Sequence, residues 1–181
     1  YLSPIEALMF VKRLILGGLE LLKTSGEFKQ VQVITSWGNH GRTTKKIRVS
    51  TGHKNSYEWL LYNDLASQFA NDPIIKVHVG NSYFTYVEIY GHLTRWHHGD
   101  AVKYGGGIGG LMVPLLRYTS KANQQRPAVA DFIGHFHNRI PYSPATRAAV
   151  NGSLIGFNAY AQRIGASPEP PVQNFQLCDS R

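Results

Sequence analysis

Residues 74–98 read IIKVHVGNSYFTYVEIYGHLTRWHH, and this stretch decides the fold class. It holds three runs rich in β-branched and aromatic residues, at 74–79, 83–90 and 93–97, each long enough for a strand. Gly80-Asn81-Ser82 supplies turn residues between the first two, so a hairpin is expected there. Upstream, Asn71-Asp72-Pro73 stops a helix that starts near Asn55-Ser56-Tyr57-Glu58 and runs to about Phe69. Before that, Val31, Val33 and Thr35 alternate with Gln30, Gln32 and Ile34, which marks a strand over 28–35. The chain opens with Ser3-Pro4-Ile5-Glu6, a capping box with proline at the first helical position. Leu8, Val11, Ile15, Leu19 and Leu22 follow at helical spacing until Ser25-Gly26 ends the helix. Downstream, the glycine run at 105–110 leads into a helix over 111–120 despite Pro114, and short strands are expected at 130–133 and 149–154. From Ser167 the chain turns proline-rich (Pro168, Pro170, Pro171) and should run as an extended tail. Helices and strands alternate without a repeat or an internal boundary, so the expectation is one α/β domain spanning 1–181.

Composition narrows the function classes. The 181 residues are 43% hydrophobic, 12% aromatic and only 17% charged, which excludes a long disordered chain. No run approaches the ~18 apolar residues of a membrane span, so no membrane partner is expected. The single cysteine, Cys178, excludes an internal disulfide framework and a multi-cysteine zinc module, and suits a reducing, cytoplasmic setting. Nineteen Lys and Arg against eleven Asp and Glu give a net charge of +8, which favours polyanionic partners, nucleic acid first. Arg42, Lys45, Lys46, Arg48 and Lys54 lie together with no acid between them. They read either as a phosphate-holding run or as a solvated loop. The start at Tyr1 is not an initiator, and Glu6 and Glu20 exclude a signal peptide, so the chain reads as part of a longer polypeptide.

The eight histidines carry the strongest chemical signal. His40, His98, His135 and His137 fall in three glycine-flanked segments at expected strand ends. These are Gly38-Asn39-His40-Gly41-Arg42, His97-His98-Gly99-Asp100 and Gly134-His135-Phe136-His137-Asn138. Loops at strand ends are where α/β sheets hold ligands, and glycine lets the backbone approach an ion or phosphate closely. Neighbours on a strand point to opposite faces, so His97 and His98 cannot both serve one cation.

The ordered set resembles the later motifs of the calcineurin-like metallophosphoesterase superfamily: Gly-Asn-His, then His-Gly, then Gly-His-x-His. With Arg42 after the first segment and Asn151-Gly152-Ser153-Leu154 downstream, it is most similar to the DNA-repair-exonuclease-like branch of bacteriophages and bacteria. The likeness covers about 31–154. It implies a two-sheet β-sandwich flanked by helices, and a nuclease that cleaves DNA phosphodiesters with two divalent cations, Mn²⁺ or Zn²⁺. It also implies a cytoplasmic protein, of a bacterial host if phage-encoded. By the same resemblance Asn39, His98 and His135 match ligands of the second metal, and His137 a ligand of the first. His40 matches the histidine that protonates the leaving oxygen. Imidazoles and an amide oxygen suit a borderline cation without quenching its acidity. Two such cations ~3.5–4 Å apart clamp phosphoryl oxygens and activate water for in-line attack. Arg42, Lys45 and Lys46 would then hold substrate phosphate.

Two family motifs, Asp-x-His and Gly-Asp-x-x-Asp, have no counterpart here. The expectation is an amino-terminally truncated domain with at most a weak metal half-site and little activity, a degenerate relative being the other reading. Truncation would leave a sheet edge for a second copy to cover. Two other functions fit the residues: a phosphomonoesterase or small-nucleotide phosphodiesterase of the same fold, or a non-catalytic nucleic-acid-binding fragment. Asp100 and Asp131 read as second acceptors for ligand imidazoles or as ordinary turn and surface carboxylates. Trp37, Tyr57, Trp59, Tyr83 and Trp96 read as base-stacking or core residues. Gly105, Gly107 and Gly110 match G-x-G-x-x-G formally, but a loop beside the site fits them better than a dinucleotide fingerprint.

Overall fold

A computed structural model describes residues 2–105, 110–163, 165 and 167–179. Position 107 of the glycine run therefore lies outside the described residues. The chain is α/β and forms two compact units, residues 1–85 and 86–181.

In the first unit, helix α1 spans Pro4–Ser25, β1 Val31–Ile34, α2 Tyr57–Gln68 and β2 Ile75–His78. The capping box forms as expected: the Glu6 N–H donates to Ser3 Oγ at 3.3 Å, and the Ser3 N–H donates to the Glu6 carboxylate at 2.8 Å. Gly26 closes the helix through an N–H to the Leu22 carbonyl. The core side of α1 is narrower than the apolar periodicity implies. Leu19 is buried with Phe69 and Ile75, against Ile15, Leu16, Val31, Val33, Ile74 and Val77, whereas Val11 and Leu22 stay exposed. Strands β1 and β2 pair in parallel, Val31 with Ile75 through Ile34 with His78, joined by the crossover through α2. Asp72 starts β2 by accepting N–H groups from Ile74 and Ile75, both at 2.9 Å, and also receives Lys23 Nζ at 2.5 Å.

The expected hairpin at Gly80-Asn81-Ser82 does not form. The strand after it, β3 (Thr85–Ile89), belongs to a different, five-stranded sheet. Turn chemistry marks where a chain bends, not which strand its next segment pairs with. β2 pairs with β1 alone among the described strands, and the hairpin lies one turn later. Tyr90 (φ 50°) and Gly91 (φ 79°) make a two-residue connection with both φ values positive, the geometry that matches strand twist. It joins β3 to β4 (His92–His97), and the Thr94 hydroxyl donates to the Val87 carbonyl across the pair at 2.7 Å.

The five-stranded sheet runs β3-β4-β5-β7-β6, with β5 at Ala130–Ile133, β6 at Ile140–Ser143 and β7 at Ala148–Val150. β4, β5 and β7 are parallel, and β6 is antiparallel with a bulge between Ile140 and Ser143. Pro141 is tolerated because β6 is an edge strand. Helix α3 (Met112–Gln125) outlasts its expected end, and Pro114 sits in its first turn, where no N–H is needed. A short α4 spans Ala159–Arg163. The core of this unit gathers Val102, Leu111, Leu115, Ile133, Ala148 and Val150. After residue 166 the chain has no regular element among the described residues. It is tied down by Asn174, whose side-chain amide donates to the carbonyls of Val150 at 2.7 Å and Ile140 at 3.3 Å.

Candidate functional site

The second unit brings two of the predicted ligands together. β4 and β5 end side by side, His97 paired with Ile133, and the Gly134 N–H carries the ladder one step further by donating to the His98 carbonyl at 2.9 Å. This sets His98 and His135 at adjacent strand ends. Their rings stand at 71° with centroids 4.9 Å apart, and His135 Nδ1 is 3.1 Å from His98 Nε2. Gly99 makes that approach possible. Its φ is 112°, and a Cβ there would meet Ile133 Cγ2 at 2.5 Å and His135 Cβ at 3.3 Å.

The Gly-His-x-His segment has an uncommon backbone. His135 and His137 take φ values of 68° and 58°, both in the left-handed region, while the Phe136 N–H folds back to the Gly134 carbonyl at 2.8 Å. Histidine enters this region more readily than β-branched residues, at a cost of order 1–3 kcal/mol per position. These dihedrals end the extended run of β5 at Ile133, before either histidine. Phe136 packs on the core beside it.

Beneath the pair lies a buried ionic cluster that sequence reading did not foresee. Arg95 and Asp131 are register partners on β4 and β5 and form a two-pronged bridge at 2.6 and 2.8 Å, with both side chains wholly inaccessible. Arg95 also donates to the Arg126 carbonyl and to Asn123 Oδ1, each at 3.1 Å. Asp131 therefore neither orients His98 or His135 nor lies on the surface; it neutralises a buried guanidinium. His97 lies 3.4 Å from the same carboxylate and 5.4 Å from the Tyr118 ring, and burial pushes its pKa down, countered in part by Asp131. His97 is thus an interior packing residue.

No family model, curated protein or solved structure matches this chain.

The Gly38–Arg42 loop belongs to the first unit. It leaves β1 through Trp37, whose indole N–H donates to the Ser82 carbonyl at 3.1 Å and whose ring meets Tyr83 edge-on. Gly38 is buried, Asn39 half-buried and His40 exposed. Arg42 donates to the Asn39 carbonyl, so one of the predicted phosphate-binding residues is drawn back onto its own loop. Lys45 and Lys46 are exposed. The feature sequence reading missed here is Glu58. It was legible only as part of a helix start, yet its carboxylate accepts the Gly38 N–H and feels His40 electrostatically. Burial raises the Glu58 pKa, opposed by that N–H and by His40. Trp96 is stacked on Phe132 at 4.1 Å and Trp37 is buried, so these rings serve packing.

Among the described residues, no group of three or more His, Cys, Asp or Glu side chains is gathered to hold a metal ion. Nor is any helix among them long and apolar enough to cross a membrane. A cavity of about 630 Å³ opens elsewhere in the second unit, between Ile89, Phe132, Tyr142 and the tail residues Phe175 and Leu177, and contains none of the predicted ligands.

Proposed function

We propose that this chain carries metal-binding residues of a metallophosphoesterase that hydrolyses phosphodiesters, DNA being the favoured substrate. The observation that supports it most directly is the His98–His135 pair. Two imidazole nitrogens bound to one cation at about 2.0–2.1 Å each are separated by about 2.9–3.4 Å, from right-angled to tetrahedral coordination. The observed 3.1 Å contact, a ring-to-ring hydrogen bond whose donor depends on the tautomer, falls inside that interval. Two half-buried imidazoles suit a borderline divalent cation such as Mn²⁺ or Zn²⁺, so the donor chemistry fits, although no bridging carboxylate is gathered beside them among the described residues.

In this reading His98 and His135 hold the cation, with His137, on the same unit, as a further donor. The cation, when bound, supplies charge stabilisation to the phosphoryl group and acidifies water. His40, on the first unit, is exposed and so open to a substrate phosphate. Glu58 keeps the Gly38–Arg42 loop in place by holding the Gly38 N–H. Lys45 and Lys46, with the overall charge of +8, draw in a polyanion. The family's two aspartate motifs have no counterpart in this sequence, so the reading assigns full turnover to a polypeptide that includes them. It also assigns the metallophosphoesterase variant of the α/β class to the fold.

Calorimetric titration with Mn²⁺ and with Zn²⁺ tests this without an activity assay. The wild-type chain should bind weakly, and His98→Ala and His135→Ala should each abolish the heat while far-UV circular dichroism stays unchanged. Unchanged binding in either variant would overturn the reading. In a polypeptide with the aspartates, single-stranded DNA, duplex DNA and a chromogenic monoester and diester separate the nuclease from its monoesterase alternative.

A further inference from the structure

Helix α1 carries a second apolar stripe that its own unit does not use. Ala7, Phe10, Leu14, Gly17 and Leu21 recur at intervals of three and four, the seam of a two-helix coiled coil. They lie on the side of the helix away from Leu19. Phe10, Leu14 and Leu21 are 46%, 59% and 62% exposed. Gly17 and Gly18 weaken the middle of the helix relative to alanine, and a Cβ at either would meet nothing within 4 Å. Nothing in the packing of the first unit, among the described residues, calls for them. A glycine on an exposed seam is explained by another backbone or large side chain approaching there.

The stripe is complementary to itself in the antiparallel sense. Setting two copies of α1 so that Leu14 faces Gly17 of the second copy also sets Gly17 against Leu14, Phe10 against Leu21, and Ala7 against Thr24. Leu14 then meets a glycine, and Phe10 packs on Leu21, across a two-fold axis, the arrangement of a closed dimer. The charged flank agrees. Glu6, Arg13 and Glu20 line one edge of the seam, and this register brings Arg13 beside Glu20 of the second copy and Glu20 beside Arg13, two reciprocal pairs. A parallel arrangement would stack Gly17 on Gly17 and leave Arg13 beside Gly18, with no ion pair. We propose that α1 is a homodimerisation helix, pairing antiparallel with α1 of a second copy through Phe10, Leu14, Gly17 and Leu21. This is independent of the phosphoesterase reading.

Sedimentation velocity and light scattering on the whole chain at micromolar concentration provide the test. The wild type should have the mass of two chains. Leu14→Glu lies on an exposed position, so it should keep its circular dichroism and lose dimer affinity by about tenfold or more. Gly17→Leu should increase helicity and yet weaken the dimer, which a purely structural glycine would not do. Arg13→Glu and Glu20→Arg should each weaken it by about fivefold, while the double exchange should restore wild-type affinity. A monomeric wild type would overturn the proposal, as would a double exchange no better than the single ones.

Discussion

The Arg95–Asp131 bridge allows the sharpest stability prediction. Replacing Arg95 by Met keeps the aliphatic volume and removes the guanidinium. Asp131 is then left as a buried carboxylate without its two charge-assisted hydrogen bonds, and the Arg126 carbonyl loses a donor. Removing one member of a fully inaccessible pair costs about 3–5 kcal/mol, because the surviving charge stays desolvated. Against a total of about 5–15 kcal/mol, that is a large part of the stability of the unit. Urea unfolding followed by Trp96 fluorescence reads it out, since Trp96 stacks on Phe132 within the same strand pair. Trp37 and Trp59 are first replaced by Phe so that the signal belongs to this unit. With a slope of about 1–3 kcal/mol per molar, the midpoint should fall by at least about 1 M. The deficit should shrink as pH falls, because His97, 3.4 Å from the carboxylate, can take up a proton and supply a replacement charge. Arg95→Met with Asp131→Leu should recover most of the loss, since apolar replacement of a whole buried pair is near neutral. A single-variant loss below about 1 kcal/mol, or a double variant as unstable as the single, would refute the account.

Three further outcomes are expected. Leu115→Ala, at a wholly buried core position, should cost about 2–5 kcal/mol in the same unfolding assay. Lys23 and two backbone N–H groups hold the Asp72 carboxyl down to about 2 from 3.8, so its contribution to stability is complete above the usual carboxylate range and fades as pH falls from about 4 towards 2. Asp72→Asn should therefore flatten the acid limb of a stability–pH curve without steepening it elsewhere. Gly99→Ala should separate the strand ends, because its Cβ would sit 2.5 Å from Ile133 Cγ2 at a φ of 112°; nuclear magnetic resonance should show the His98 and His135 ring signals moving while those of His53 and His78 do not.

Local signals were read well from the sequence, and pairings were not. The capping box of α1 and the Ser56 start of α2 were legible because a cap is decided by residues within one turn. β5 was legible at its true limits as a short apolar run between turn signals. The hairpin at Gly80-Asn81-Ser82 does not form because turn residues mark a bend and leave the partner of the next strand undetermined; β3 pairs with β4 instead. β6 escaped notice because Pro141 breaks the strand pattern, which only its place at the sheet edge makes acceptable. Among candidate site residues, the strand-end placing of His98 and His135 followed from motif and alternation. Arg95 with Asp131 lie 36 residues apart and meet only through the parallel register of β4 and β5. Glu58 meets the Gly38 loop only through the packing of α2 beside it.

The left-handed backbone at His135 and His137 bears on how this loop can change over generations. Asparagine, aspartate and glycine accept such dihedrals at least cost, whereas branched and bulky residues are screened out by the main chain itself. Two of those three tolerated replacements carry oxygen donors. Under the cation-binding reading proposed above, a lineage could trade a nitrogen donor for a harder oxygen one by a single codon step, shifting its taste in cations towards magnesium or calcium while the loop keeps its shape.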